Sequence, residues 1–176
     1  LVSSSAASDV YKRQTLPIVL KNENAFLTGL MYENIQLKLH PEASTASLTT
    51  INLKLGYNVN HSERLTASYL FLPKIASDME ELGNKDFQYG AVALFKLKKS
   101  ESFKYHFGAY YNQELFGPFI VPLIGLYRIS DNGKFEINAT LPVWADMNYS
   151  FNDWLAAGSS FAATVRSYHL SESNAY

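Results

Sequence analysis

Apolar side chains fall on alternate positions along most of this chain. Ile51, Leu53, Leu55, Tyr57 and Val59 are interleaved with Asn52, Lys54, Gly56 and Asn58. The alternation returns in Phe87, Tyr89, Ala91, Ala93, Phe95 and Leu97, then in Phe103, Tyr105, Phe107, Ala109 and Tyr111. It returns again in Phe135, Ile137, Ala139 and Leu141, and in Val143, Ala145, Met147, Tyr149 and Phe151. Successive side chains of a strand point to opposite faces, so a period of two means strands with one apolar and one polar face. The pattern predicts about ten strands, over 16–21, 25–39, 47–59, 64–76, 86–98, 102–115, 119–130, 134–141, 143–151 and 154–169. A bulge is expected in the second, near Glu33 and Asn34.

The connections carry a second regularity. Tight polar turns at 22–24, 60–63, 99–101, 131–133 and 152–153 alternate with connections whose first members, 40–46 and 77–85, are longer. Asn132-Gly133 between alternating strands is a strong hairpin signal. Short turns at one end and longer loops at the other are the habit of an up-and-down membrane barrel. The fold expected is therefore all-β, an antiparallel up-and-down transmembrane β-barrel, incompletely closed in this chain.

The first fourteen residues stand apart from this reading. Ser4 to Gln14 reads as an in-frame translation of a transposon-end sequencing adapter. Residues 1–14 are accordingly expected to be adapter-derived, non-native and outside the fold, with 15–176 an incomplete barrel domain. An export signal is expected to have been lost upstream.

Composition narrows the classes. A net charge of −1 with scattered Lys and Glu leaves no basic stripe for nucleic acid. Cysteine is absent, which excludes disulfide scaffolds and thiolate metal sites. The longest apolar run, 119–127, is interrupted by Pro122 and Gly125, well short of a membrane helix. Aromatic residues make up 14% of the chain, and rings near strand ends suit either a soluble core or the girdles of a membrane barrel.

The polar face decides what chemistry is available. It is expected to carry Gln36, Lys38, Asn52, Asn58, Gln88, Lys98, Asn112, Asn138 and Asn148, with Gly56, Gly90, Gly108 and Gly158. Its ionisable members are the candidate lumen-lining set: Lys54, Lys96, Lys104, His106, Glu114, Arg128, Glu136, Asp146 and Arg166. In a narrow barrel such groups must pair or reach water. They form either a plug of ion pairs or a charged constriction that selects small solutes.

No catalytic set emerges. His61-Ser62-Glu63 are consecutive in a tight turn and cannot converge on one substrate atom. His40, His61, His106 and His169 lack metal-ligand spacing. The acidic stretch Asp78-Met79-Glu80-Glu81, a helical turn at most, lacks the glycine and spacing of a calcium loop. No cofactor, no metal and no enzyme activity are expected.

Short aromatic-glycine phrases run through Pro73-Lys74-Ile75-Ala76-Ser77-Asp78, Asp86-Phe87-Gln88-Tyr89-Gly90-Ala91 and Phe103-Lys104-Tyr105-His106-Phe107-Gly108. With Tyr110-Tyr111-Asn112-Gln113-Glu114-Leu115-Phe116-Gly117-Pro118-Phe119, they make the chain resemble a Bacteroidetes-type outer-membrane β-barrel family, the domain of unknown function numbered 6268. The resemblance implies an outer-membrane location, lipid as the surrounding partner and insertion by the barrel-assembly machinery. It assigns no catalytic or ligand residue. Two readings stay open: a structural or small-solute-conducting outer-membrane barrel, and a soluble or periplasmic barrel holding an apolar ligand.

Overall fold

The computed structural model describes residues 8–20, 24–38, 45–79, 83, 86–163, 165 and 167. Ten strands form one sheet in which every strand pairs with its sequence neighbours. They are β1 (Ser8–Val19), β2 (Ala25–Lys38), β3 (Thr45–Asn60), β4 (Leu65–Ser77) and β5 (Phe87–Ser100). There follow β6 (Phe103–Glu114), β7 (Gly117–Ile129), β8 (Phe135–Leu141), β9 (Trp144–Asn152) and β10 (Leu155–Ala162). All pairings are antiparallel, as the alternation and the tight turns require.

No ladder joins β1 to β10 among the described residues, so the sheet is open, in keeping with the incomplete closure expected of this chain. Its two edges are ill matched, β1 having 12 residues and β10 only 8, whereas closure needs edges that meet in a fixed stagger. Residues 8–14 do not lie outside the fold but continue β1 and pair with 30–36 of β2. Ladder bonds are made by backbone, so an exposed edge accepts any extended neighbour. β2 keeps one register with β1 and β3 throughout, without the bulge expected at Glu33 and Asn34. Apolar residues on both of its faces, Leu27 and Met31 against Phe26 and Leu30, imitate a change of phase. The register shifts lie instead between Lys98 and Ser100 and between Leu155 and Ala156. Met79 adopts a left-handed φ of 62°, so the acidic stretch does not enter a right-handed helix there; Glu80 and Glu81 lie outside the described residues.

Proline placement follows the ladders. The β3–β4 pairing skips from Asn52↔Lys74 to Leu55↔Phe71, so Pro73 owes β3 no N–H. β8 is short and pairs only with 124–129 of β7, which leaves Pro118 and Pro122 on a free edge.

The sheet curls with its polar face inward. Positions paired across it share a face, and the row Asn60–Thr66–Lys96–His106–Gly125–Thr140 runs through successive ladders on the concave side. His106 is 3% exposed there, while Phe107 next to it on the convex side is 44% exposed. Curvature at this row is tight. A Cβ on Gly108 would lie 2.0 Å from the Ala93 carbonyl oxygen, and one on Gly125 would lie 1.9 Å from that of Ala139. Only hydrogen fits where the strands approach so closely.

Candidate functional site

The concave face gathers most of the ionisable candidates. Register places Lys54 opposite Gly29, Lys96 opposite His106, Lys104 opposite Lys98 and Tyr127, Glu114 opposite Gly117, Glu136 opposite Asn148 and Asp146 opposite Asn138. All of these lie on that one face. Arg128 does not. It pairs with Phe103 and Ile137 on the convex side and lines a shallow surface depression with Lys99, Phe103 and Asp131. It sits near the end of β7, where both faces reach water, so its polarity says nothing about its side. Gln36 is likewise convex, paired with Ser47. Arg166 lies outside the described residues, as do His40 and His169 and the side chain of Lys38.

The face is zoned along the strands. At the long-loop end Glu114 is 2% exposed and saturated with partners. It accepts from Lys74 Nζ across β5, from Asn112 Nδ2 at 2.6 Å, and from the Ser167 hydroxyl. Ser167 follows β10 and returns over the rim, where its Oγ accepts from Leu115 N at 3.1 Å and its carbonyl from Gln88 Nε2 at 3.2 Å. A buried carboxylate needs partners of this kind, since an isolated one would be too costly.

The middle zone is apolar. Leu70, Val92 and Val121 flank Tyr110 in one row, and Leu94 and Leu123 follow in the next. Leu123 is 3% exposed, so this layer packs on itself.

At the tight-turn end the face turns basic. Lys96, Lys98 and Lys104 lie together, and among the described residues only Lys98 has a carboxylate within ion-pair distance, Glu101 in the turn. Lys104 leans over β7, its Nζ 5.3 Å from the centroid of the Tyr127 ring. His106 reaches past Gly125 to β8, where Nδ1 lies 3.1 Å from the Ala139 carbonyl and 3.1 Å from Thr140 Oγ1. The carbonyl can only accept, so Nδ1 carries the hydrogen. This is a structural histidine that ties three strands together.

The other candidates resolve simply. His61 lies in its turn, with Nε2 3.3 Å from the Tyr69 hydroxyl and its ring edge-on to that of Tyr69. Among the described residues no group of three His, Cys, Asp or Glu could hold a metal ion. Lys74 and Ser167 were not singled out as site residues from sequence. Lys74 lies on the polar phase of β4, a strand whose other concave positions include Leu70 and Leu72, and no periodicity marks Ser167.

No helix of the described residues is long and apolar enough to cross a membrane, which leaves strands untouched by that criterion. A family model, that of a domain of unknown function (DUF6268), matches residues 25–175. No curated protein and no solved structure matches the chain.

Proposed function

The chain belongs to the DUF6268 family, and we propose that it is an outer-membrane β-barrel protein that crosses the lipid with its strands, its interior filled by its own side chains. The observation that carries this reading is the inverted burial of the sheet. Large apolar residues on the convex side stand open, with Ile124 at 71%, Phe87 at 58% and Leu30 at 53%. Polar residues on the concave side are closed off, with Glu114 at 2% and Thr140 at 1%. A soluble sheet of this kind would place its apolar face inward, whereas lipid asks for the reverse.

Strand dimensions support the same reading. The exposed apolar positions of β5 run from Phe87 to Leu97, a length that in a strand tilted by about 40° spans roughly 25 Å, the height of a lipid-facing band. In β5 and β6 rings flank alanines: Phe87 and Tyr89 before Ala91 and Ala93, Phe95 after, then Phe107 and Tyr111 about Ala109. Aromatic residues at the two water boundaries with small aliphatic ones between match an interfacial girdle. The apolar middle layer and the Glu114 cluster favour a structural barrel over an open pore.

The full-length protein is expected in the membrane fraction, with heat-modifiable migration after detergent extraction. Recovery in the soluble fraction without detergent would overturn the membrane reading and favour a periplasmic barrel. In a planar bilayer the protein should be silent; regular conductance steps would replace the structural role by a channel.

A further inference from the structure

The turns after β5 and β7 flank β6 and β7 at the tight-turn end, and the convex surface between them is hollowed. The open depression there has a volume of about 410 Å³ and is lined by Lys99, Ser100, Ser102, Phe103, Arg128 and Asp131. That size lies within the range of small-molecule pockets. Lys99 rests over the Phe103 ring, its Nζ 5.9 Å from the centroid, and Arg128 is opposite Phe103 on the neighbouring strand. Among the described residues no carboxylate lies within ion-pair distance of either cation. Glu101, close by in sequence, is held by Lys98 and does not line the depression. The Ser100 and Ser102 hydroxyls lie 3.2 Å apart, and a bond between them leaves one O–H to donate.

A second, independent observation is the order of chemistry along this face. Toward the middle of the strands the depression gives on to exposed apolar residues. Tyr105 packs edge-on against Phe103, with centroids 4.8 Å apart, and is 44% exposed; Leu97 opposite it is 40% exposed. The two cations come next, at the level of Phe103. Asp131 lies past them, in the turn after β7. Apolar, then cationic, then anionic is the complement of a phospholipid with an amine head, which runs acyl chain, phosphate, ammonium. A guanidinium offers phosphate oxygens two parallel donors, and a lysine adds a point charge.

We propose that Lys99 and Arg128, with the Ser100–Ser102 hydroxyl pair, bind the phosphodiester of one aminophospholipid, whose ammonium meets Asp131 and whose acyl chains lie against Leu97 and Tyr105. The site rests on the reading of the convex face as the lipid-facing one. Inorganic phosphate offers the same anion without chains or amine, so the two sources can be told apart.

The test is native mass spectrometry of the detergent-solubilised full-length protein, titrated with dioleoyl phosphatidylethanolamine, dioleoyl phosphatidylglycerol, dioleoylglycerol or inorganic phosphate. Saturable retention of one phosphatidylethanolamine is expected, with phosphatidylglycerol, which lacks the amine, about threefold weaker. Dioleoylglycerol and inorganic phosphate should not be retained. Lys99→Gln and Arg128→Gln should each weaken retention about fivefold, whereas Lys104→Gln, on the concave face, should leave it unchanged. Asp131→Asn should erase the preference for the amine. Lys99, Arg128 and Asp131 are exposed, so heat-modifiable migration should be the same in these variants and checks the fold. Retention that survives in the Lys99→Gln/Arg128→Gln pair, equal retention of phosphatidylglycerol or dioleoylglycerol, or retention of inorganic phosphate would each overturn the site in a protein still found in the membrane fraction. Recovery in the soluble fraction would overturn the membrane reading itself, and the site with it.

Discussion

The two ends of the concave face treat interior lysines in opposite ways. At the long-loop end Lys74 points at Glu114, which is also held by Asn112 and Ser167. At the tight-turn end Lys96 and Lys104 are diagonal neighbours, and neither forms an ion pair among the described residues. The difference teaches what each end does. The Glu114 carboxylate closes a wall, because Lys74, Asn112 and Ser167 answer its charge from within the chain. A cluster with unanswered charge needs either water or a bound counter-charge. Between them the apolar layer around Leu123 insulates one end from the other.

The largest effect should come from breaking the closed end. Glu114→Ala leaves Lys74 buried without its partner and strips Asn112 and Ser167 of an acceptor. Removing one member of a buried ion pair costs about 3–5 kcal/mol, read as a lowered unfolding midpoint in urea. Loss of less than about 1 kcal/mol, the range of an exposed pair, would show that the network is open to water and that the two ends do not differ as described. Next in size is the strand contact that supports the basic end. Gly125→Ala drives a methyl into the Ala139 carbonyl and displaces the His106 link to β8, a destabilisation of about 1–3 kcal/mol. His106→Ala in the same background should then add little, because the bond is already lost.

Much of this contrast was written in the period of the chain, and some of it was not. Alternation and turn residues locate the strands from β2 to β9 to within a few residues, and Asp131-Asn132-Gly133 marks its hairpin. Parity alone puts Lys54, Lys96, Lys104, His106, Glu114, Glu136 and Asp146 on one face. It fails at Arg128 because a strand end is wet on both sides, so a charged residue there obeys no inward rule. It also hides the apolar layer, since Leu70, Val92, Leu94 and Leu123 occupy the phase otherwise filled by polar residues. The Lys74–Glu114 pair spans three strands, and the contact with Ser167 joins residues 53 positions apart. Both depend on how far the sheet curls, which a period of two does not encode.

At the basic end the sign of the effect reverses. Lys96→Gln removes a charge that neighbouring Lys104 opposes, so the protein should gain stability by about 0.2–1 kcal/mol, the size of one cross-strand pair. A lowered unfolding midpoint in urea instead of a raised one would mean that Lys96 has an internal partner and that both ends are paired.

The smallest effect concerns Glu101, the carboxylate nearest the basic end, which lies exposed in the β5–β6 turn. A hydrogen bond from Lys98 and the charge of that lysine hold its carboxyl below the usual carboxylate range. A depressed folded value contributes stability that is present above the unfolded value and is lost as pH falls through the folded one. Glu101→Gln should therefore differ slightly from the wild type near neutral pH, and the difference should vanish on acidification below the ordinary carboxylate range. Salt should shrink it too, because an exposed pair is screened, whereas the penalty of Glu114→Ala should hardly respond to salt. Unfolding midpoints of the two variants at low and high salt test the point directly. If both respond alike, the long-loop network is as wet as the turn, and the contrast between the two ends fails.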